Sequence, residues 1–324
     1  MYKIEYLQKK LNDIFRKENF LSEPMNLYEP IGYTLSLGGK RIRPLLVLMG
    51  CDMFGGKLKD AIQPAIGIEL FHNFTLLHDD IMDQASLRRG NETVHKKWNP
   101  NIAILCGDTM FAMAFRYISH VNEKVLSEVI KTFTDTAIEV CEGQLFDLNY
   151  EIKEKVSMDD YLMMIRLKTA TLLAASLKIG CLLANADPSD LEMIHSFGEN
   201  LGMAFQLQDN LLDVFGDEQR FGKKTGGDIL ENKKTFLYLK AFESATKKEL
   251  ETLHHAFFTP GIEPQQKISL VKKVYETLKI KEITMNEIGS YHEKALTFLN
   301  NIQVSESRKV ELTSLTKRLL TRDF

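Results

Sequence analysis

Two pairs of aspartates with identical spacing are the side chains of this sequence best suited to chemistry. Asp79 and Asp83 lie four positions apart in LLHDDIMDQASLRRG, and Asp209 and Asp213 repeat that spacing in FQLQDNLLD. Residues i and i+4 share one face of a helix, about 6 Å apart along its axis. Like charges in this arrangement destabilise a helix, and each pair follows a strongly apolar segment, where a carboxylate needs a partner. The repetition of this costly arrangement argues against two solvated helix ends and predicts bound cations.

The side chains around these pairs favour magnesium over zinc. Mg²⁺ usually takes one or two protein carboxylates and completes its shell with water and phosphate oxygens. No set of His and Cys ligands accompanies either pair, and His78 is better explained as a hydrogen-bonding residue than as a ligand. The four cysteines have no C-x-x-C spacing, so they indicate neither a zinc site nor a disulfide framework, and they fit a reducing compartment.

Basic residues form four clusters that the sequence pattern assigns to loops and helix ends. The clusters are GGKRIRP, LRRG, RLKTA and FGKKTGGDILENKKT. Each cluster by itself is most often a solvated surface. Beside two carboxylate pairs suited to Mg²⁺, the clusters together suggest clamps for two separate diphosphates, because charge-assisted hydrogen bonds to phosphate are strong.

Long helices must position these groups, because apolar residues recur with helical period along almost the whole chain. One such stripe consists of Val129, Phe133, Thr136, Val140 and Gln144. Further helices are predicted to start near Ser157, an N-cap with Asp160 three residues on, and at Asp187-Pro188. Strand-like alternation is nearly absent. We therefore expect an all-α bundle of long helices with short connections.

Composition limits the class of protein. The 324 residues, 44% of them hydrophobic, suffice for a large core, and no linker-like segment divides them, so we expect a single domain over residues 1–324. The net charge of −3 excludes a nucleic-acid binder driven by bulk charge. The N-terminus lacks the apolar core of a signal peptide and no segment is long enough to span a bilayer, so we expect a soluble, cytoplasmic protein.

Several motifs occur in an order that resembles the trans-isoprenyl diphosphate synthase (polyprenyl synthetase) family, short-chain type. In chain order they are GGKRIRP, HDDIMDQASLRRG, the GD at Gly107-Asp108, GQLFDL, KTA, FQLQDNLLD and GKKTGGDILENKKT. The resemblance covers most of the chain and implies the isoprenoid synthase helical bundle around a deep central cavity, in a homodimer. It also implies head-to-tail condensation of isopentenyl diphosphate with dimethylallyl, geranyl or farnesyl diphosphate, assisted by two or three Mg²⁺ ions.

The resemblance further implies a role for each residue that matches a family motif. The Mg²⁺ ligands would be Asp79 and Asp83 of the first aspartate-rich motif and Asp209 of the second, with Asp213 in support. The residues that bind the diphosphate of isopentenyl diphosphate would be Lys40, Arg43, His72 and Arg89. The cations on the allylic diphosphate would be Arg88, Lys168, Lys233 and one of Lys223 and Lys224. The remaining matches are Thr169 and Gln206, whose oxygens would face the reacting carbon, and Gln144 and Asp147 of the Gly-Gln-x-x-Asp motif.

One position departs from the family pattern. The second motif usually reads D-D-x-x-D, and here Asn210 occupies the middle place, which keeps a hydrogen-bonding side chain but removes one negative charge. We expect retained activity with altered metal affinity. A class I terpene cyclase is an alternative, although it would not need Lys40, Arg43 and Arg89 for a second diphosphate. A non-catalytic prenyltransferase partner subunit is another alternative, although such subunits typically lose the aspartate motifs.

The apolar residues before the first aspartate pair should govern product length. Phe74 lies about 7.5 Å and Phe71 about 12 Å before Asp79 along a helix. A helical wheel places Phe71 and Thr75 nearer to the Asp79 face, whereas the resemblance selects Phe74 as the cavity floor. With a small Thr75 and no two-residue insertion in the first motif, the sequence resembles geranylgeranyl (C20) synthases slightly more than farnesyl (C15) synthases. Ordinary core packing of both phenylalanines is the alternative.

Overall fold

Nearly all regular structure in the computed structural model, which describes residues 1–216 and 225–321, is helical. The helices of the N-terminal half are α1 (Ile4–Lys17), α2 (Met25–Ser36), α3 (Ile42–Met53), α4 (Leu58–Met82), α5 (Val94–Lys97), α6 (Pro100–Ile118) and α7 (Glu123–Ile152). The described helices that follow are α8 (Met158–Ile165), a π-helix (Arg166–Ala170), α9 (Thr171–Leu183), α10 (Pro188–Phe215), α11 (Gly227–Leu230), α12 (Phe236–Ser244), α13 (Lys247–Phe258), α14 (Pro264–Thr277), α15 (Ile280–Asn301), a 3₁₀-helix (Glu306–Arg308) and α16 (Val310–Thr321). A small antiparallel hairpin, β1 (Leu87–Arg88) with β2 (Asn91–Glu92), connects α4 to α5. The predicted all-α class is confirmed.

The starts of α8 and α10 agree with the local capping signals. The Ser157 hydroxyl accepts the N–H of Asp160 at 3.0 Å, and the Asp160 carboxylate accepts the N–H of Ser157 at 3.2 Å. This reciprocal pair is the capping box predicted for α8. Helix α10 begins at Pro188, directly after Asp187, as predicted. Such caps matter because the first N–H groups of a helix have no partner within the helix.

The long helices pack so that the π-helix lies against α7 and α10. The stripe predicted on α7 is buried from Val129 to Val140, whereas Gln144 at its end is partly exposed. Helix α4 packs against α3 and α6, and α10 packs against α9 and α15. The π-helix contacts both α7 and α10, and its Lys168 reaches Asp79 near the end of α4. Among the helices of residues 1–216 and 225–321, none is long and apolar enough to cross a membrane.

Candidate active site

The first aspartate pair lies at the C-terminal end of α4, where the hairpin folds back onto it. Asp79 is in the last turn, and Asp83 is the C-cap, whose N–H donates to the Asp79 carbonyl oxygen at 2.9 Å. Arg88 of β1 donates from Nε to both Asp80 carboxylate oxygens at 2.8 Å and reaches Asp79 Oδ2 at 3.4 Å. The hairpin therefore brings Arg88, a residue predicted to bind the allylic diphosphate, next to the acids.

Asp80 is a residue that the sequence reasoning missed. It is 5% exposed, and burial raises its pKa to about 6 although Arg88 opposes the shift. Its signal was the doublet Asp79-Asp80, in which two successive acids of one helix point in different directions. Asp80 thus positions the Arg88 guanidinium, while Asp79 keeps a carboxylate oxygen directed at Lys168.

Lys168 links the first aspartate pair to α7. Its Nζ donates to Asp147 Oδ2 at 2.6 Å and to Asp79 Oδ1 at 3.2 Å. Burial disfavours the ammonium, but Asp147 and Asp79 outweigh it, and the pKa of Lys168 lies above its ordinary value. Gly143 permits this proximity, because a Cβ there would lie 2.3 Å from the Lys168 backbone nitrogen. Within the Gly-Gln-x-x-Asp motif, glycine therefore lets α7 approach the π-helix, and Asp147 holds the cation.

The π-helix Arg166–Ala170 carries two of the predicted site residues. Short π segments inside α-helices are rare and are frequent at functional sites. Here the segment carries both Lys168 and Thr169, which point to different neighbours. The Thr169 hydroxyl donates to Gln206 Oε1 of α10 at 2.9 Å. The structure thus brings the predicted residues Thr169 and Gln206 together.

The second aspartate motif is connected to the segment that follows the undescribed residues. Asp213 Oδ2 accepts the Asp228 N–H at 3.0 Å. Asn210 donates to Asp228 Oδ2 at 2.9 Å and accepts the Tyr161 hydroxyl at 2.6 Å. Burial, reinforced by Asp213, raises the pKa of Asp228 to about 6. The sequence did not lead us to select Asp228 or Tyr161, although Asp228 directly follows a glycine pair in GGDIL.

Lys233 is one of the charged residues that line a cavity of about 140 Å³. Burial opposes its charge, but Asp147 and Asp83 outweigh it, so the pKa of Lys233 is raised. Residues from the π-helix, α7, α10 and α11 line this cavity, among them Lys168, Asp147 and Asp228. Lys223 and Lys224, one of which was predicted to contact the allylic diphosphate, lie outside the described residues.

A second group of cations lies between α3, α4 and the hairpin. The Arg43 guanidinium and His72 Nε2 are 3.1 Å apart, and burial followed by the charge of Arg43 lowers the pKa of His72 well below its ordinary value. Arg89 passes Gly39 so closely that a Cβ there would lie 2.8 Å from its Nη2. Lys40 is exposed beside Gly39. The three cations Lys40, Arg43 and Arg89 and the uncharged His72, all predicted to bind isopentenyl diphosphate, therefore lie in one region.

Glu69 is the counter-charge to this second group, and the sequence reasoning missed it. It is 4% exposed in α4, one turn before His72. Burial raises its pKa, whereas the charge of Arg43 opposes that shift. A buried carboxylate needs such a cation, because an unpaired charge in the interior is costly.

The predicted product-length residues belong to an aromatic cluster from three helices. The ring of Phe71, fully buried, lies 5.6 Å from that of Phe74, 5.9 Å from that of Phe111 in α6 and 5.2 Å from that of Phe133 in α7. The Phe74 and Phe111 rings are 5.3 Å apart. The Thr75 hydroxyl donates to the His72 carbonyl oxygen at 2.8 Å. Phe111 and Phe133 could not be selected from the sequence, because their helices meet α4 only in the fold.

The carboxylates of both motifs fit Mg²⁺ but do not form a complete cage. Within the described part of the chain, no group of three or more His, Cys, Asp or Glu side chains could hold a metal ion on its own. Mg²⁺ requires no such group, because it keeps several waters and binds through one or two carboxylates plus substrate phosphates. The two predicted pairs, Asp79 with Asp83 and Asp209 with Asp213, each offer two carboxylates at helical i, i+4 spacing, which is compatible with that requirement.

Comparison with known proteins identifies the family of this chain. The family model described as polyprenyl synthetase matches residues 24–278. A geranylgeranyl diphosphate synthase of Methanosarcina mazei is 39% identical over 232 residues, which are 71% of this chain and 72% of the relative. The crystal structure of a geranylgeranyl pyrophosphate synthase is 42% identical, with a TM-score of 0.93 over 99% of each chain. That of geranylgeranyl pyrophosphate synthase from Corynebacterium glutamicum, complexed with isoprenyl diphosphate and magnesium, is 26% identical, with a TM-score of 0.84 over 98% of each chain.

The match to the family model extends over well more than half of the sequence, and the fold superimposes on these enzymes along almost its whole length. This chain therefore belongs to the polyprenyl synthetase family of prenyltransferases and has their all-α isoprenoid synthase fold.

Proposed function

We propose that this protein condenses isopentenyl diphosphate with an allylic diphosphate, head to tail, to give a short-chain trans-prenyl diphosphate and diphosphate in a Mg²⁺-dependent reaction. The observation that carries the proposal is the presence of two separate groups of cations at the end of α4. Arg88 and Lys168 contact the first aspartate pair, whereas Arg43 and Arg89 belong to the group around His72 and Gly39. Two cation groups fit two diphosphate substrates.

In the allylic site, the protein's own cations would stabilise the leaving group. As the allylic carbon–oxygen bond breaks, Arg88, Lys168 and Lys233 would offset the negative charge that develops on the diphosphate. Mg²⁺ bound by the two aspartate motifs would neutralise the same charge as a Lewis acid. The oxygens of Thr169 and Gln206 would face the allylic cation, and the apolar walls would exclude water that could quench it.

In the second site, Lys40, Arg43, His72 and Arg89 would hold the diphosphate of isopentenyl diphosphate. The double bond of that substrate attacks the allylic cation and forms the new carbon–carbon bond. A proton then leaves the adjacent carbon and restores a double bond, and the departed diphosphate takes that proton. Fixing both diphosphates keeps the reacting carbons in contact, which supplies much of the rate gain in a reaction of two substrates.

We propose a C20 product as the favoured one, with C15 next. The aromatic cluster of Phe71, Phe74, Phe111 and Phe133 would form the floor of the space that receives the growing prenyl chain beneath the allylic diphosphate. The small Thr75 leaves more room than an aromatic residue would. The geranylgeranyl synthases to which this chain is similar support the C20 assignment.

A homodimer is proposed from the exposed apolar residues of α6 and α7. Leu105 and Phe115 of α6 are 55% and 42% exposed, and Ile138 and Leu145 of α7 are 59% and 58% exposed. Exposed apolar side chains of this size on two helices are typical of an interface with another copy.

The test is incubation of labelled isopentenyl diphosphate with each allylic primer, with Mg²⁺ or with EDTA, followed by chromatography of the products. We expect Mg²⁺-dependent elongation to C20 or C15. Asp79→Ala should abolish elongation, whereas the matched surface change Asp135→Ala should not, because Asp135 pairs only with solvent-exposed Lys131 among the described residues. Consumption of an allylic substrate to a cyclic hydrocarbon without isopentenyl diphosphate would instead identify a terpene cyclase. Absence of both reactions would favour a non-catalytic subunit.

A further inference from the structure

The middle position of the second aspartate motif belongs to a connected set of hydrogen bonds. Asn210 is 8% exposed, its Oδ1 accepts the Tyr161 hydroxyl at 2.6 Å, and its Nδ2 donates to Asp228 Oδ2 at 2.9 Å. The Asp228 N–H donates in turn to Asp213 Oδ2 at 3.0 Å. Residues from α8, α10 and α11 are thereby joined in the wall of the 140 Å³ cavity.

The orientation of the Asn210 amide is dictated by its two partners. An ionised carboxylate only accepts hydrogen bonds, so the amide must present its NH₂ group to Asp228. Turned the other way, the amide oxygen would face the carboxylate and both groups would lose their partner. The amide oxygen is then left for the Tyr161 hydroxyl, which has a proton to donate. Both ends of the side chain are therefore used.

An aspartate at this position would behave differently. It would place a second carboxylate against Asp228 at the separation of 2.9 Å that the hydrogen bond now occupies. Like charges in a weakly screened site repel strongly, so this pair would need a shared proton or a bound cation between its two carboxyl groups. The neutral amide removes that need and holds Asp228 in place by itself.

We infer that Asn210 is a positioning residue that fixes the Asp228 carboxylate beside Asp213 and lowers the metal requirement for diphosphate binding in this cavity. The inference rests on the proposed function, since it assumes that a diphosphate binds between Lys168 and Lys233. Both lysines line the same cavity as Asn210. The wall facing the anion carries one negative charge fewer than the usual motif, so less of the binding depends on a cation.

The decisive variant is Asn210→Asp, which introduces the usual acid with almost no change in size. In calorimetric titration with inorganic diphosphate in EDTA, we expect binding about 10-fold weaker than in the native protein. Half-maximal diphosphate binding should require a higher Mg²⁺ concentration in Asn210→Asp than in the native protein. Without diphosphate, Mg²⁺ should raise the Tm of Asn210→Asp more than that of the native protein, because it would bind the new carboxylate pair.

Two further variants complete the experiment. Asn200→Asp makes the same chemical change on α10, about 15 Å along the helix, where the amide donates to the Ser196 carbonyl oxygen. It should match the native protein in diphosphate affinity and in the Mg²⁺-induced shift. Tyr161→Phe removes the donor to Asn210 and should weaken diphosphate binding by about 2-fold to 3-fold, which keeps the inference testable if Asn210→Asp does not fold.

The outcomes separate this inference from the proposed function. Equal diphosphate affinity and equal Mg²⁺-induced shifts in native protein and Asn210→Asp would overturn the inference and leave the proposed function intact. If Asn210→Asp does not fold, native-like binding by Tyr161→Phe overturns it. A native protein that binds no diphosphate, with or without Mg²⁺, would overturn both.

Discussion

Replacing Gly143 with alanine should separate the two walls of the allylic site. An added Cβ would lie 2.3 Å from the Lys168 backbone nitrogen and 2.8 Å from the Lys168 Cα, whereas ordinary contact begins at 3.4 Å. Backbone atoms cannot rotate away as a side-chain end can, so the π-helix or α7 must retreat by about 1 Å. The retreat would draw Lys168 away from Asp147, which it now contacts at 2.6 Å.

The expected effect is large on rate and moderate on stability. A displacement of about 1 Å at a catalytic group can lower the rate about 100-fold, and overpacking costs about 1–3 kcal/mol of folding free energy. We therefore expect Gly143→Ala to lower kcat about 100-fold in the labelled condensation assay, with a lower Tm in a circular dichroism melt.

The matched control is Gly289→Ala in α15. No described atom lies within 4 Å of a Cβ added there, so alanine should raise the free energy of unfolding by about 0.5–1 kcal/mol through helix propensity and leave kcat unchanged. A folded Gly143→Ala protein with kcat within about threefold of native would refute the reasoning, since the close approach would then not position Lys168.

Three other predictions follow from the site. Asp79→Ala should lower Mg²⁺-dependent turnover at least about 100-fold with little change in Tm, and near-normal turnover would exclude Asp79 as a metal ligand. Arg89→Ala should mainly raise KM for isopentenyl diphosphate, whereas Lys168→Ala should mainly impair the allylic step; identical effects on both substrates would contradict separate sites. Phe74→Ala should lengthen the products and Thr75→Phe should shorten them, as chromatography would reveal; an unchanged distribution in active Phe74→Ala would shift the role of cavity floor to Phe71 or a neighbouring helix.

The parts of the site that lie within one motif could be predicted from the sequence. The pairing of Asp79 with Asp83 follows from helical spacing, and the start of α8 at Ser157 follows from a cap of four residues. Such features depend on neighbours within about one turn, whose positions the chain itself determines. The order of motifs supplied the remaining roles, because each motif keeps its own local geometry.

The parts of the site that join distant segments could not be predicted from the sequence. Phe133 meets Phe71 across 62 positions of the chain, and Asp228 meets Asn210 across 18 positions. The π-helix at Lys168 was also unforeseen, since its residues read as ordinary helix. These features arise from packing of one helix against another, which sequence periodicity does not specify.

The adjacent arginines of the β1–β2 hairpin have one more consequence. Arg88 contacts Asp79 and Asp80, while Arg89, with a left-handed φ of 53°, turns towards Gly39. A single peptide unit thus connects both cation groups, so a ligand that orders one arginine has already restricted the backbone of the other. We expect the two diphosphates to bind with positive heterotropic cooperativity, each tightening the other by the same factor. Titrations of each diphosphate in the presence and absence of the other would measure that factor, and a value of one would show that the hairpin transmits nothing.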